Sequence, residues 1–247
     1  MSAEKQNSAI KPMPLWQSTL LFTIPGIIFA LLYVYLFDYL MSAGVSHMRS
    51  MITVSFVALG LIFVLAMVLY RREGNVFTIR RFMERMRIRR MDGHAWLYTV
   101  LGLIFNVSTY VGLLFTAKWF AGQFDLPTWA LLPKEAEPVV AAYGLLLFRF
   151  VLLLLNVFGE EFLWRGYILP RQELQHGKHA WWIHGLQWTW FHILFKPWEI
   201  FMLLPGCLAY GWICSKTRNT TPGIIMHLGL NGIGVLMLAL AVFGVTQ

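Results

Sequence analysis

Gly159-Glu160-Glu161-Phe162-Leu163-Trp164-Arg165-Gly166 follows directly on an apolar run near 140–158, so two carboxylates and a guanidinium stand where an apolar segment of spanning length ends. Charged groups at or within the boundary of a bilayer are costly, and function is the default reading of such groups. The rest of the chain decides whether lipid is the solvent. Of 247 residues, 58% are hydrophobic and 13% charged, against about a quarter charged in an average soluble protein, and the mean hydropathy is +0.61. Apolar runs recur near 18–40, 51–70, 95–117, 140–158, 181–195, 199–214 and 222–243. The expected fold is an all-α, polytopic transmembrane bundle of about seven to eight spans. The fifth run is short, and 159–176 is where a split or re-entrant helix would add an eighth. Trp16, Tyr33, Tyr35, Trp96, Trp119, Trp129, Trp181 and Trp198 fall near run ends, as interfacial aromatic rings prefer.

The formal charge of +8 is no sign of nucleic acid, because the basic residues lie between apolar runs and not on a soluble face. Eight arginines crowd Arg71–Arg90, while Ile79, Phe82, Met83 and Met86 follow helical spacing. The segment 71–94 therefore reads as a short amphipathic helix lying on anionic lipid. Taking the N-terminal segment, 71–94, 159–180 and 215–221 as one side places fifteen Lys and Arg there, which puts the N-terminus in the cytoplasm. The expected organisation is a cytoplasmic tail over 1–17, N-terminal spans over 18–139 and a catalytic core over 140–247. The initial apolar run is too long for a signal-peptide core and reads as a retained anchor. Cys207 and Cys214 are too far apart along one helix for a disulfide.

Three helices carry the chemistry. Arg165 can reach Glu161 at i+4, which leaves Glu160 free to react. His192 follows Trp188 by four positions on an aromatic face, and His227 and Asn231 are again four apart, so both turn to one neighbour. Singly, these groups read as an interfacial salt bridge, a structural histidine and interhelical hydrogen-bond glue. Together they are three inward polar stripes around one cavity. His192 sits about 16 Å along its run, deeper than the others. Glu173, Glu199, His176, His179 and His184 lie near loops and read as solvated or interfacial. Gly229, Gly232 and Gly234 read as close helix packing and not as a phosphate loop.

In this arrangement the chain resembles the CPBP intramembrane proteases, the CAAX protease and bacteriocin-processing or Abi-type group related to type II CAAX prenyl proteases. The motif E-E-x-x-x-R is met by Glu160, Glu161 and Arg165, and H-x-x-x-N by His227 and Asn231. F-x-x-x-H is met with Trp188 before His192. The stretch Ser215–Thr220 resembles the loop before the third motif, and the likeness covers about 140–235. The resemblance implies an endopeptidase acting on a peptide or membrane-protein substrate in a bacterial cytoplasmic membrane, without a cofactor. Catalytic roles then fall on Glu160 as general base, His192 beside the same water, and His227 with Asn231 at the oxyanion; Glu161, Arg165 and Trp188 support them. Three other readings stand beside it: zinc on Glu160, His192 and His227, a non-catalytic immunity or scaffold protein of the same fold, and a small proton-coupled transporter.

Overall fold

The computed structural model describes residues 10–120, 139–197 and 200–243, and every regular element among them is helical. Helix α1 (Leu15–Leu31) runs through a π segment, Leu32–Leu36, into α2 (Phe37–Ser42). Next come α3 (His47–Arg72), α4 (Ile79–Arg85) and α5 (Gly93–Phe120). Helix α6 (Val139–Glu161) continues through a second π segment, Phe162–Ile168, into α7 (Leu169–His176). The chain ends in α8 (Ala180–Ile193), α9 (Ile200–Thr217) and α10 (Thr221–Val242). Residues 1–9 of the expected tail, Trp129, Trp198 and Glu199, and the side chain of Trp119, lie outside the described residues.

The helices form a bundle whose solvent is lipid. Among the described residues, Leu15–Ser42, His47–Arg72 and Ile200–Thr217 are each long and apolar enough to cross a membrane. Their outer faces carry large exposed apolar side chains, among them Ile24, Leu31, Leu61 and Val64, and α5 adds Leu101 and Ile104. Water would penalise such a surface, whereas hydrocarbon matches it. The chain is an integral membrane protein. Helix α8, at 14 residues, rises only about 21 Å and falls short of the roughly 30 Å hydrocarbon core. The fifth apolar run is thus a half-span held by protein, packed on α9 and on α1.

Small residues set how closely α8 and α9 approach. A Cβ on Gly185 would lie 2.8 Å from the Leu208 Cα, so only glycine admits this crossing. The glycines of α10 are less constrained: a Cβ on Gly229 would meet only the flexible side chain of Leu103, at 2.9 Å, one on Gly232 only Leu153 at 4.0 Å, and Gly234 has open space beside it. Among the expected interfacial rings, Trp16, Tyr35 and Trp96 are exposed, but Tyr33 is buried and its hydroxyl lies 3.0 Å from that of Ser55. His184 is also fully buried, where a solvated role was expected. It donates to Gln172 at 2.8 Å, Gln172 donates to Gln187, and Gln187 donates to the hydroxyls of Ser18 and Thr19, tying α1 to α7 and α8. The segment 159–176 adds no separate span, since it continues α6 without a break.

The basic segment is a strap as well as a charged surface. Its helix is only Ile79–Arg85, and its apolar face divides. Ile79 and Met83 are exposed, whereas Phe82 and Met86 are buried against Tyr70 and Phe162. Arg85 bonds to Glu73 and, at 3.0 Å, to the Gly166 carbonyl of the second π segment. Arg87 pairs with Glu173 at 2.6 Å, and Arg171 also reaches Glu73. Downstream, the Met86 carbonyl accepts the Thr220 hydroxyl at 2.7 Å and the Arg87 carbonyl the Thr220 N–H at 2.8 Å. The strap thereby joins the turn after Glu161 to the start of α10. Arg71, Arg72, Arg80, Arg81, Arg89 and Arg90 remain exposed.

Candidate active site

Glu160 and Glu161 end α6 just where its backbone widens into the π segment. Such segments occur mostly as single-turn insertions and often at functional sites. Adjacent residues on a helix point about 100° apart, and here the two carboxylates enter different environments. Glu161 is fully buried. Its Oε1 accepts Arg165 Nη1 at 3.0 Å and His227 Nδ1 at 3.0 Å, so it links α6 to α10 as well as to its own i+4 partner. The carboxylate lies against the first turn of α10, where the helix dipole favours negative charge. A side chain at Gly223 would collide with Glu161 Oε2. Gly223, His227 and Asn231 share one face of α10 at successive steps of four, and the glycine makes the space its neighbours need.

Glu160 is 4% exposed and lines a cavity of about 650 Å³ together with Trp188, His192, Tyr210, His227 and Asn231. Its Oε2 accepts two indole N–H groups, from Trp188 at 2.9 Å and from Trp164 at 3.2 Å. Among the described residues no donor falls on Oε1. One oxygen is held and the other is available to a guest. The Trp188 indole spans the site. The Arg165 guanidinium stacks 3.6 Å above its ring, while the rings of His192 and His227 stand edge-on at 5.3 and 5.9 Å.

The apparent depth of His192 is explained by this contact. Trp188, not His192, stands level with Glu160, and His192 lies one turn further along α8 on the same cavity wall. Its Nδ1 is 2.9 Å from the Trp188 carbonyl. A carbonyl only accepts, so Nδ1 carries the proton and Nε2 of the neutral ring keeps a lone pair. His227 likewise points Nδ1 at a carboxylate, and a second hydrogen bond donated through Nε2 requires the imidazolium.

All seven expected site residues thus meet at one place, five on the cavity wall and Glu161 with Arg165 behind it. Two further residues belong to the site. Trp164 holds Glu160 at i+4, the same spacing that pairs Arg165 with Glu161, so the pattern was readable. Tyr210 is 2% exposed and its hydroxyl has no hydrogen-bond partner. Its ring lies 6.0 Å from His227, and a lone tyrosine in an apolar run gave no signal. Among the described residues, no three His, Cys, Asp or Glu side chains are gathered so as to hold a metal ion, the set of Glu160, His192 and His227 included. Cys207 and Cys214 are buried and free.

Comparison with known proteins gives this geometry a family. Residues 142–233 match the family described as type II CAAX prenyl endopeptidase Rce1-like. This segment is similar to the CAAX protease family. The match takes in less than half of the chain but all three motifs. No curated protein and no solved structure matches the chain. A CAAX-type segment in a lipid-exposed helical bundle makes the chain an intramembrane protease acting on a peptide or membrane-protein substrate.

Proposed function

We propose that the chain is a metal-independent glutamate endopeptidase in which Glu160 activates water for attack on a peptide bond. The observation that carries this reading is the asymmetric carboxylate of Glu160 on the cavity wall, with Oε2 fixed by two indoles and no donor on Oε1 among the described residues. A water on Oε1 gives up a proton to the carboxylate as its oxygen attacks the scissile carbonyl carbon. The proton then passes to the departing amine as the C–N bond breaks. His192, with a lone pair on Nε2, orients that water. Asn231 and the imidazolium of His227 donate to the oxyanion, and each such donor is worth roughly 3–4 kcal/mol in acyl transfer. Glu161 is the counter-ion that holds His227 in this orientation, with Arg165 fixed beside it. The exposed arginines of the strap rest on anionic lipid and keep this end of the bundle at the membrane surface.

Substitution Glu160→Gln in proteoliposomes, assayed with a peptide library, tests the mechanism. The expected result is loss of cleavage with an unchanged melting temperature. Cleavage at the wild-type rate would overturn it.

A further inference from the structure

Helix α1 stands outside the segment 142–233 that matches the family, yet one of its rings reaches the site. Phe22, fully buried, stacks on the Trp164 indole with ring centroids 4.3 Å apart and planes inclined by 20°. Trp164 is fully buried as well, and its N–H is one of the two that hold Glu160 Oε2, the longer one at 3.2 Å. A hydrogen bond weakens steeply as its donor turns away, so the tilt of this indole decides how well the carboxylate is held. The level of α1 against α8 is itself fixed. Gln187 of α8 donates to Ser18 Oγ at 3.0 Å and to Thr19 Oγ1 at 2.9 Å, one turn before Phe22, and Trp190 donates to Thr23 at 2.9 Å, directly after it. One turn beyond, a Cβ on Gly26 would lie 3.0 Å from the Phe191 carbonyl oxygen, so the two helices cross closely there. These contacts hold Phe22 in register with Trp164.

We propose that Phe22 is a positioning residue for the Glu160 carboxylate, acting through Trp164, and that α1 is thereby part of the active-site scaffold as well as a membrane helix. The proposal rests on Glu160 being the base of the reaction. A reacting group keeps one geometry only if the side chains around it are themselves locked by packing and hydrogen bonds. The Trp188 indole is fixed from within the matched segment, by the Arg165 guanidinium on its ring. The Trp164 indole meets Phe191 at 5.4 Å and Phe22 at 4.3 Å, and of these two rings Phe22 is the stacked one. Without Phe22 the indole is free to tilt, its N–H leaves Oε2, and the carboxylate turns about the remaining bond to Trp188. Phe22 and Trp164 stand behind the cavity wall and not on it, so a substrate meets neither, and the loss falls on the chemical step.

The test compares kinetics in proteoliposomes for Phe22→Leu, which keeps apolar bulk but loses the flat ring, and for Phe37→Leu, which thins the core at a buried ring packed on His47 instead. Phe22→Leu is expected to lower kcat about 3- to 10-fold, the size of one aromatic stack, with KM changed by less than about twofold. Phe37→Leu should lower the melting temperature to a similar extent and leave kcat unchanged. In a Trp164→Phe background, where no N–H remains to be aimed, Phe22→Leu should cost less than about twofold in kcat. A change in KM alone, the same loss with and without the Trp164 indole, or the same loss in Phe37→Leu overturns the proposal. Fluorine NMR of protein carrying fluorotryptophan reads the geometry without turnover. The Trp164 line, assigned by its absence in Trp164→Phe, should move in Phe22→Leu and in Glu160→Gln and stay in place in Phe37→Leu. A line that answers to Phe22 and Glu160, in a protein whose Glu160→Gln variant still cleaves, would keep this contact and remove the glutamate mechanism. Cleavage abolished in Glu160→Gln with a Trp164 line indifferent to Phe22 would do the reverse.

Discussion

The indole N–H of Trp188 donates to Glu160 Oε2 at 2.9 Å, so the aromatic position of the second motif reaches the leading carboxylate of the first motif directly. The CAAX-type pattern has phenylalanine there, which has no donor. In this chain the same residue also offers its carbonyl to His192 and its ring face to Arg165.

Trp188→Phe should therefore lower kcat about 10-fold or more while KM changes little. A hydrogen bond to a charged group is worth about 1.5–3 kcal/mol, and Trp164 still holds the same oxygen. The backbone bond to His192 survives the change. Steady-state kinetics in proteoliposomes would decide it. A pure rise in KM would make Trp188 a wall of the substrate cavity and not a holder of Glu160.

The Glu161–Arg165 pair is fully buried, and Arg165 Nε and Nη2 are left without acceptors. Removing one partner of such a pair costs about 3–5 kcal/mol, whereas replacing both with apolar residues is often neutral. Arg165→Met alone should lower the melting temperature markedly, and Glu161→Gln with Arg165→Met should recover much of the loss. The double variant should still be slow, because His227 loses its carboxylate. Melting curves and rates on these two variants and on Glu161→Gln alone separate the structural role from the positioning one. Losses of the two single variants that simply add in the double variant would show that the pair is uncoupled.

In the proposed mechanism Asn231 contributes to chemistry without holding the fold. It lines the cavity and makes no hydrogen bond among the described residues. Asn231→Ala should lower kcat by about 100- to 1000-fold, as loss of an oxyanion donor does, with little change in melting temperature. A drop in stability of the size seen for Arg165→Met would make Asn231 interhelical glue instead.

What the sequence made readable and what it hid follow one physical division. Spacing of three and four along a helix fixes which side chains share a face, so Glu161 with Arg165 and His227 with Asn231 were legible from residue spacing alone. Lipid as solvent was legible from the long apolar runs. Contacts between helices were not. Nothing in a lone His184 or Gln187 tells that they join α1 to α8, and Glu73 meets Arg85 and Arg171 only because the strap folds back across the bundle. Arginine-rich sequence reads as a lipid anchor whether or not two of its charges are spent on internal pairs, as Arg85 and Arg87 are here. The apparent depth of His192 misled for a related reason: distance along one helix ignores the level at which its neighbour starts.

Chelation separates the glutamate mechanism from the zinc reading of the same residues. A catalytic zinc ion takes three protein ligands at about 2.0–2.3 Å and leaves one position for water, which requires Glu160, His192 and His227 to converge. Each of the three keeps one atom able to ligate, Glu160 Oε1 and the Nε2 atoms of His192 and His227, while its other polar atom is held: Glu160 Oε2 by two indoles, His192 Nδ1 by the Trp188 carbonyl, and His227 Nδ1 by Glu161. No such convergence exists among the described residues. Activity should therefore persist after prolonged dialysis against 1,10-phenanthroline, and added zinc should give no gain. Loss of cleavage that only zinc restores would reassign Glu160 from base to ligand and remove the proposed mechanism.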